Sequence, residues 1–376
     1  MQVDGLHGFL AGSHFTGVVA LRLGDRTLFE GAYGLASPRW GVPNTLDTRF
    51  DTASVTKVFT SVAALQLVGR GLLDLDASIH QYVYLAGTTV PREVTLRHLL
   101  THTSGLADDA DEEAGEEYSD LWLERPVNSV TSTRDFLPQF AAKEPLARPG
   151  EQCRYCNVGY VLAGLAIEGA SGRSYRDHVT AEVFGPAGME RSGFFDRRWA
   201  EPDVAEGFDP GPDGRLEQNI FKSPPIGSPD GGALVTAGDL LRFAAAVRGG
   251  LLLPPDLTTL FLTPQVRHDD EVHYGFGLEF DETDWWKDGC WDGASAMLVH
   301  FGVPGIDAVV LSNTREGAWP VVRELDRLTK PADREVALVG TEVGVVVDGP
   351  GPVIGCPGCP QASRHASRSC RCPVLD

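Results

Sequence analysis

The sequence predicts an α+β fold: an antiparallel sheet assembled from both ends of the chain, flanked by helices, with a mainly helical lobe inserted between the two groups of strands. Three observations carry this expectation. Strand-like segments occupy the start of the chain and return near residues 274–311, helical periodicity dominates the middle, and Gly-rich turn signals punctuate both. At 376 residues the chain is long enough for one large two-lobed domain, which we place over residues 1–330 with its helical lobe at about 95–250. Residues 331–376 form a separate tail.

The elements follow in order. Thr16-Gly-Val-Val-Ala-Leu-Arg-Leu-Gly24 and Arg26-Thr-Leu-Phe-Glu-Gly-Ala-Tyr33 read as two strands joined at Gly24-Asp25, a hairpin signal. A helix is predicted from about Ser54 to Val68, because Val55, Val58, Phe59, Val62 and Leu65 recur at three- and four-residue spacing and Gly69 and Gly71 flank its end. Asn157–Gly169 and Gly238–Val247 read as helices of the inserted lobe. Tyr274–Phe280, Ala294–Phe301 and Gly305–Leu311 then read as strands, and Trp319–Leu328 as a closing helix. A cleft between sheet and lobe is the natural place for a small-molecule site.

Composition narrows the partners. A formal net charge of −20 argues against nucleic acid, whose phosphates require a basic surface, and against docking on an anionic membrane. No segment approaches the ~20 apolar residues of a membrane span. Met1-Gln-Val-Asp-Gly-Leu-His lacks the basic start and apolar run of a secretory signal, so a cytoplasmic location is expected. Cys153, Cys156 and Cys290 do not suggest a disulfide framework, consistent with a reducing compartment. Asp108–Asp120 carries eight acidic side chains in thirteen residues, which predicts a solvated, mobile loop; the oxygen-ligand spacing of a calcium loop is absent. From about Gly349 the tail is rich in Pro, Gly, Ser, Arg and Cys, a composition that predicts disorder. Cys356, Cys359, Cys370 and Cys372 supply the four thiolates of a zinc site, the weaker reading, since the second pair is tightly spaced.

Three short elements carry chemistry. In Ser54-Val-Thr-Lys57 the two functional residues are three apart and share a helix face, so the Lys57 amine reaches the Ser54 hydroxyl. A serine becomes a nucleophile when a base takes its proton, and a lysine serves only if burial and neighbouring cations lower its pKa. Tyr155-Cys-Asn157 stands just before an apolar helix. A phenol near a cation is expected to be held partly as phenolate and to shuttle the proton, while Asn157 orients the lysine or bonds the substrate's carbonyl or amide. Lys287-Asp-Gly289 lies ahead of a predicted strand. Its cation polarises the nucleophile's surroundings or holds an anionic substrate group, and Gly289 lets substrate approach the backbone. The N–H groups of Ser54 and Cys290 are then candidates for an oxyanion hole. Nothing supplies the Cys290 thiol with a base.

The order Ser-x-x-Lys, Tyr-x-Asn, Lys-x-Gly resembles that of the class C β-lactamases, D-Ala-D-Ala carboxypeptidases and penicillin-binding esterases. Pro43–Phe50, Val94-Thr-Leu-Arg-His-Leu-Leu-Thr-His-Thr-Ser-Gly-Leu106, Pro149-Gly-Glu, Gly185-Pro-Ala-Gly-Met189, Gly231–Leu240 and Tyr274-Gly-Phe-Gly-Leu278 extend the likeness over roughly residues 15–328. The resemblance implies a β-lactamase/transpeptidase-like fold and a serine hydrolase that works through a covalent acyl-enzyme. It implies Ser54, Lys57 and Tyr155 as catalytic and Asn157, Lys287, Gly289 and Cys290 as substrate-binding. No cofactor is called for. His98 and His102 have the i, i+4 spacing of zinc ligands, yet no glutamate follows His98, and the resemblance makes this segment structural; no metal is expected. One departure tilts the substrate. Asp288 stands where many relatives have threonine, and a carboxylate there repels a substrate carboxylate if it faces the cleft. Trp285 and Trp286 form either an apolar wall for an acyl group or packing. An ester or amide acyl donor is therefore favoured, with a carboxypeptidase or β-lactamase second and a catalytically silent penicillin-binding-like protein as the rival of another kind.

Overall fold

A computed structural model describes residues 4–329 of the chain. The proposed tail and its four cysteines lie outside the described residues. Eight antiparallel strands form the main sheet: β1 (Gly17–Leu23), β2 (Arg26–Tyr33), β3 (Val266–Arg267), β4 (His273–Tyr274), β5 (Glu279–Phe280), β6 (Trp285–Trp291), β7 (Ala294–Phe301) and β8 (Ile306–Ser312), in the order β2-β1-β8-β7-β6-β5-β4-β3. The N-terminal hairpin thus joins the C-terminal strands through β1 and β8, in register Gly17↔Ser312 to Leu23↔Ile306.

Both faces of this sheet are covered, so its central strands read as near-continuous apolar runs rather than alternating ones. Helices α1 (Asp4–Gly12) and α6 (Ala318–Thr329) pack on one face. There Leu6, Leu10, Trp286, Met297, Val310, Trp319 and Leu325 form one apolar cluster. Val309, Leu311, Ala296, Leu298 and Trp285 point to the other face, into the larger core shared with the helical lobe.

That lobe is organised around α2 (Lys57–Gly69), in which every residue from Lys57 to Leu67 is buried. The helix is therefore central rather than amphipathic, and two of its polar side chains donate to carbonyls of neighbouring segments. Thr60 donates to the Pro229 carbonyl at 2.6 Å and Gln66 to those of Glu182 and Leu252 at 2.9 and 3.1 Å. Around it lie α3 (Leu96–Leu100), α4 (Asn157–Ser171) and α5 (Ala237–Arg248), the last capped by Thr236, whose hydroxyl accepts from the Asp239 N–H.

Several boundaries differ from expectation for local reasons. Ser54 lies in a 3₁₀ turn, Ala53–Thr56, that precedes α2. Tyr274–Phe280 is not one strand: the chain turns between β4 and β5 at Gly277, where φ is +79° and a Cβ would sit 2.7 Å from Ser61 Oγ and 3.0 Å from the Lys57 carbonyl oxygen. Lys287-Asp-Gly289 lies inside β6 rather than ahead of a strand. Trp285 and Trp286 are both buried and serve the two opposite cores, so they do not share one wall: Trp286 packs on the face away from the lobe, and Trp285 stacks on His300 with ring centroids 5.4 Å apart. No helix among the described residues is long and apolar enough to cross a membrane.

Candidate active site

The turn that carries Ser54 is held from below by its neighbours. Ala53 adopts φ +42°, a left-handed conformation that costs a non-glycine residue ~1–3 kcal/mol and survives where its surroundings over-determine it. Here they do. The Ala53 N–H donates to Asp51 Oδ1 at 2.9 Å, and its carbonyl accepts from the Gly232 N–H at 3.2 Å. The Ala233 N–H donates to Thr56 Oγ1 at 2.9 Å. The Gly231–Leu240 segment is thus the cradle of the turn that presents Ser54.

Ser54 Oγ sits between two donors, Lys57 Nζ at 3.0 Å and the Tyr155 hydroxyl at 2.7 Å. Lys57 Nζ also donates to Asn157 Oδ1 and to the Asp230 carbonyl, each at 2.7 Å. As an ammonium Lys57 has three N–H donors for these three oxygens; once neutral it keeps two for Asn157 and Asp230 and turns its lone pair to the serine hydroxyl, which then donates. Burial pulls Lys57 down from 10.5 to about 8; the Asp230 carboxylate opposes this and the Lys287 charge adds to it. Tyr155 behaves differently from expectation. Burial, then the Glu112 carboxylate, push its phenol well above the ordinary value. Both ammonium groups lie over its ring, at 5.0 and 5.1 Å from the centroid. Tyr155 is accordingly a neutral hydrogen-bond donor to Ser54, not a phenolate.

The entry to α4 shows why Tyr155 and Asn157 stay in place. Four consecutive backbone N–H groups find side-chain acceptors from remote segments. Tyr155 N donates to Glu113 Oε1 (2.8 Å), Cys156 N to His102 Nδ1 (3.1 Å), and Asn157 N and Val158 N to the two oxygens of Asp108 (2.8 and 2.9 Å). Such groups at a helix start otherwise lack partners. Glu112 Oε1 accepts from Asn157 Nδ2 at 2.9 Å, which fixes the amide so that its oxygen faces Lys57. Burial raises Asp108 to about 6 and Glu112 to about 7, each opposed by these hydrogen bonds and by Lys57.

The acidic run is therefore not a solvated loop along its length. Asp108 and Asp109 are buried, and Lys143 Nζ donates to both of their carbonyls at 2.7 Å. Arg154 pairs with Asp111 at 2.6 Å and Arg315 with Glu117 at 2.9 Å. Asp108, Glu112 and Glu113 are site residues that the sequence reading missed.

The two histidines are structural. His98 completes a capping box with Thr95 at the start of α3. His102, at φ +59°, stacks on the Tyr155 ring with centroids 4.6 Å apart; burial and the Lys287 charge keep it neutral, as its acceptor role requires. Among the described residues no group of three or more His, Cys, Asp or Glu is placed to hold a metal ion.

Strand β6 forms the opposite wall. A Cβ on Gly289 would lie 2.3 Å from the Thr52 carbonyl oxygen and 2.6 Å from the Ser54 nitrogen, so glycine lets this strand press against the Ser54 backbone. The Cys290 thiol packs behind the sheet, 3.6 Å from the Arg315 carbonyl, leaving its backbone as its contribution on the site side. Lys287 is not a bare cation: Glu279 Oε1 lies 2.6 Å from its Nζ and Asp288 Oδ1 3.5 Å, with all three side chains buried. Trp291, in step with Lys287 and Gly289 along the strand, stacks on Tyr118 at 5.6 Å and covers Gly231 and Gly232. It sets an aromatic ring beside the segment that cradles the Ser54 turn.

Comparison with known proteins gives the family. The family model described as Beta-lactamase matches residues 6–330. The chain is similar to a solved penicillin binding protein from Bacillus halodurans, at TM-score 0.83 and 32% identity over 86% of this chain and 99% of that one. It is also similar to penicillin-binding protein 4 of Amycolatopsis lactamdurans, 31% identical over 240 residues, and to esterase EstB of Burkholderia gladioli, 36% identical over 182 residues. These alignments cover 61% and 47% of this chain, and the chain spans 59% and 45% of the two relatives. A sheet closed by both termini, a serine presented on a strained turn and a family match over nearly the whole described region converge: the chain belongs to the Beta-lactamase family, and it is a serine hydrolase.

Proposed function

We propose that this hydrolase cleaves small ester or amide acyl donors, with Ser54 as nucleophile, Lys57 as base and Tyr155 as proton donor. The observation that carries the reading is the coordination of Lys57 Nζ, shared among Ser54 Oγ, Asn157 Oδ1 and the Asp230 carbonyl in a buried site. Ser54 Oγ bonds to the substrate carbonyl carbon as its proton passes to Lys57. The developing oxyanion is assigned to the Ser54 and Cys290 N–H groups, beside Gly289. The bond to the leaving group breaks, and the proton taken from Ser54 reaches that group by way of Lys57 and Tyr155. Water then attacks the acyl carbon, gives its proton to Lys57, and Ser54 recovers it as the acid departs. Asn157 orients Lys57, and the acidic residues Asp108, Glu112 and Glu113 orient Asn157 and Tyr155.

Intact mass measured after brief incubation with p-nitrophenyl butyrate tests this. Wild type gains one butyryl group or turns the ester over, and Ser54→Ala does neither. If a serine-directed fluorophosphonate also fails to label the wild type, the chain is a silent binder instead.

A further inference from the structure

Lys287 is the second buried cation of the site, and its immediate partners are two carboxylates. Glu279 reaches it across the β5–β6 turn at 2.6 Å, and Asp288, its chain neighbour, at 3.5 Å. The side chains are 4%, 6% and 3% exposed, so water screens none of these contacts. The ammonium stands 5.1 Å from the centroid of the Tyr155 ring, whose hydroxyl touches Ser54. A substrate carboxylate in this part of the cleft therefore meets a cation already held by two anions. To engage Lys287 it must displace a 2.6 Å charge-assisted bond and strand a buried carboxylate, which costs more than such a contact returns.

We propose that Glu279, assisted by Asp288, is a specificity-determining residue: by saturating Lys287 it restricts the site to acyl donors that carry no carboxylate beside the scissile carbonyl. Glu279 acts through Lys287 and needs no contact with the substrate, so it is a positioning residue. The remaining charges point the same way. Glu112 stands on the far side of Asn157, and the Asp108 and Asp230 carboxylates bear on Lys57. The class admitted is neutral or cationic esters and amides. This rests on the hydrolase reading above and makes it narrower.

A matched pair of esters tests it: p-nitrophenyl hydrogen succinate, with a free carboxylate, and its methyl ester, without one. The readout is the ratio of kcat/KM for the two, in which any loss of folded enzyme cancels. Wild type favours the neutral ester by about tenfold or more, and Glu279→Gln moves the ratio toward the anionic ester by roughly ten- to thirtyfold, the order expected when one buried charge near the substrate is removed. The double variant Glu279→Gln/Asp288→Asn moves it further. If Glu279→Gln does not fold, Asp288→Asn alone, which leaves the shorter pair in place, shifts the ratio in the same direction by a few-fold. A ratio unchanged in variants that still turn over the neutral ester overturns the proposal, as does a wild type that prefers the anionic ester. A wild type inert toward both esters overturns the hydrolase reading, and this inference with it.

Discussion

The depressed pKa of Lys57 makes a prediction with a definite sign and size. At about 8, roughly one amine in eleven is neutral at pH 7, against about one in 3,000 for an unperturbed lysine, a gain of roughly 300-fold in competent base. The neutral form is the active one, so acylation is lost as pH falls. Burst-phase release of p-nitrophenol from the butyrate ester, followed from about pH 6 to 10, should rise close to tenfold per unit and level off near pH 8. Lys57→Arg, which stays protonated throughout, should lower acylation by ~10²- to 10⁴-fold and abolish that limb. An ascending limb centred near pH 10, or an arginine variant that keeps the wild-type profile, would refute the assignment of Lys57 as base. The same burial has a stability counterpart. The folded pKa lies below the unfolded one, so the ammonium destabilises the fold below about pH 8, and this penalty is relieved as pH rises toward 10.5. Relative to Lys57→Met, wild type should gain about 3 kcal/mol across that window in urea titrations.

Four further outcomes follow from the packing. Gly289→Ala places a methyl 2.3 Å from the Thr52 carbonyl oxygen; it should cost ~1–3 kcal/mol in denaturant titrations and reduce the acylation burst, because the backbone that moves carries the Ser54 N–H. Asp108→Ala removes the acceptor of two buried N–H groups at the entry to α4, and should cost ~2–5 kcal/mol and slow acylation through Asn157, read by thermal unfolding and burst kinetics. Trp286→Ala should destabilise by ~3–5 kcal/mol without altering acyl preference, whereas Trp291→Ala should weaken discrimination between aromatic and aliphatic acyl esters at little cost in stability, the two measured on one panel of p-nitrophenyl esters.

The contrast between residues readable and unreadable in the sequence has a physical pattern. The hairpin at Gly24-Asp25, the helices beginning near Asn157 and Ala237, and the order of Ser54, Lys57, Tyr155 and Asn157 all depend on neighbours within a few positions, where spacing encodes geometry. The acidic run misleads because its polarity is local while its partners are not. The donors that Asp108, Glu112 and Glu113 satisfy lie more than forty residues away, at positions 155–158. Density of charge alone predicts solvation, whereas a helix start with four N–H groups and no capping side chain of its own demands imported acceptors. That demand was a usable signal: Cys156 at the N-cap position is a poor cap, and carboxylates had to come from elsewhere. The tryptophans show the opposite case, a local rule sufficient to decide. Adjacent residues on a strand face opposite sides, so Trp285 and Trp286 could not both line one wall, while Lys287, Gly289 and Trp291 share a parity and meet the site together. Lys287 lies between the two cases. Its own strand is legible, but the charge it presents depends on Glu279, which a short turn brings back beside it. In this cleft the identity of the proposed catalytic groups was written locally, and their electrostatics were written by residues that the fold delivers from a distance.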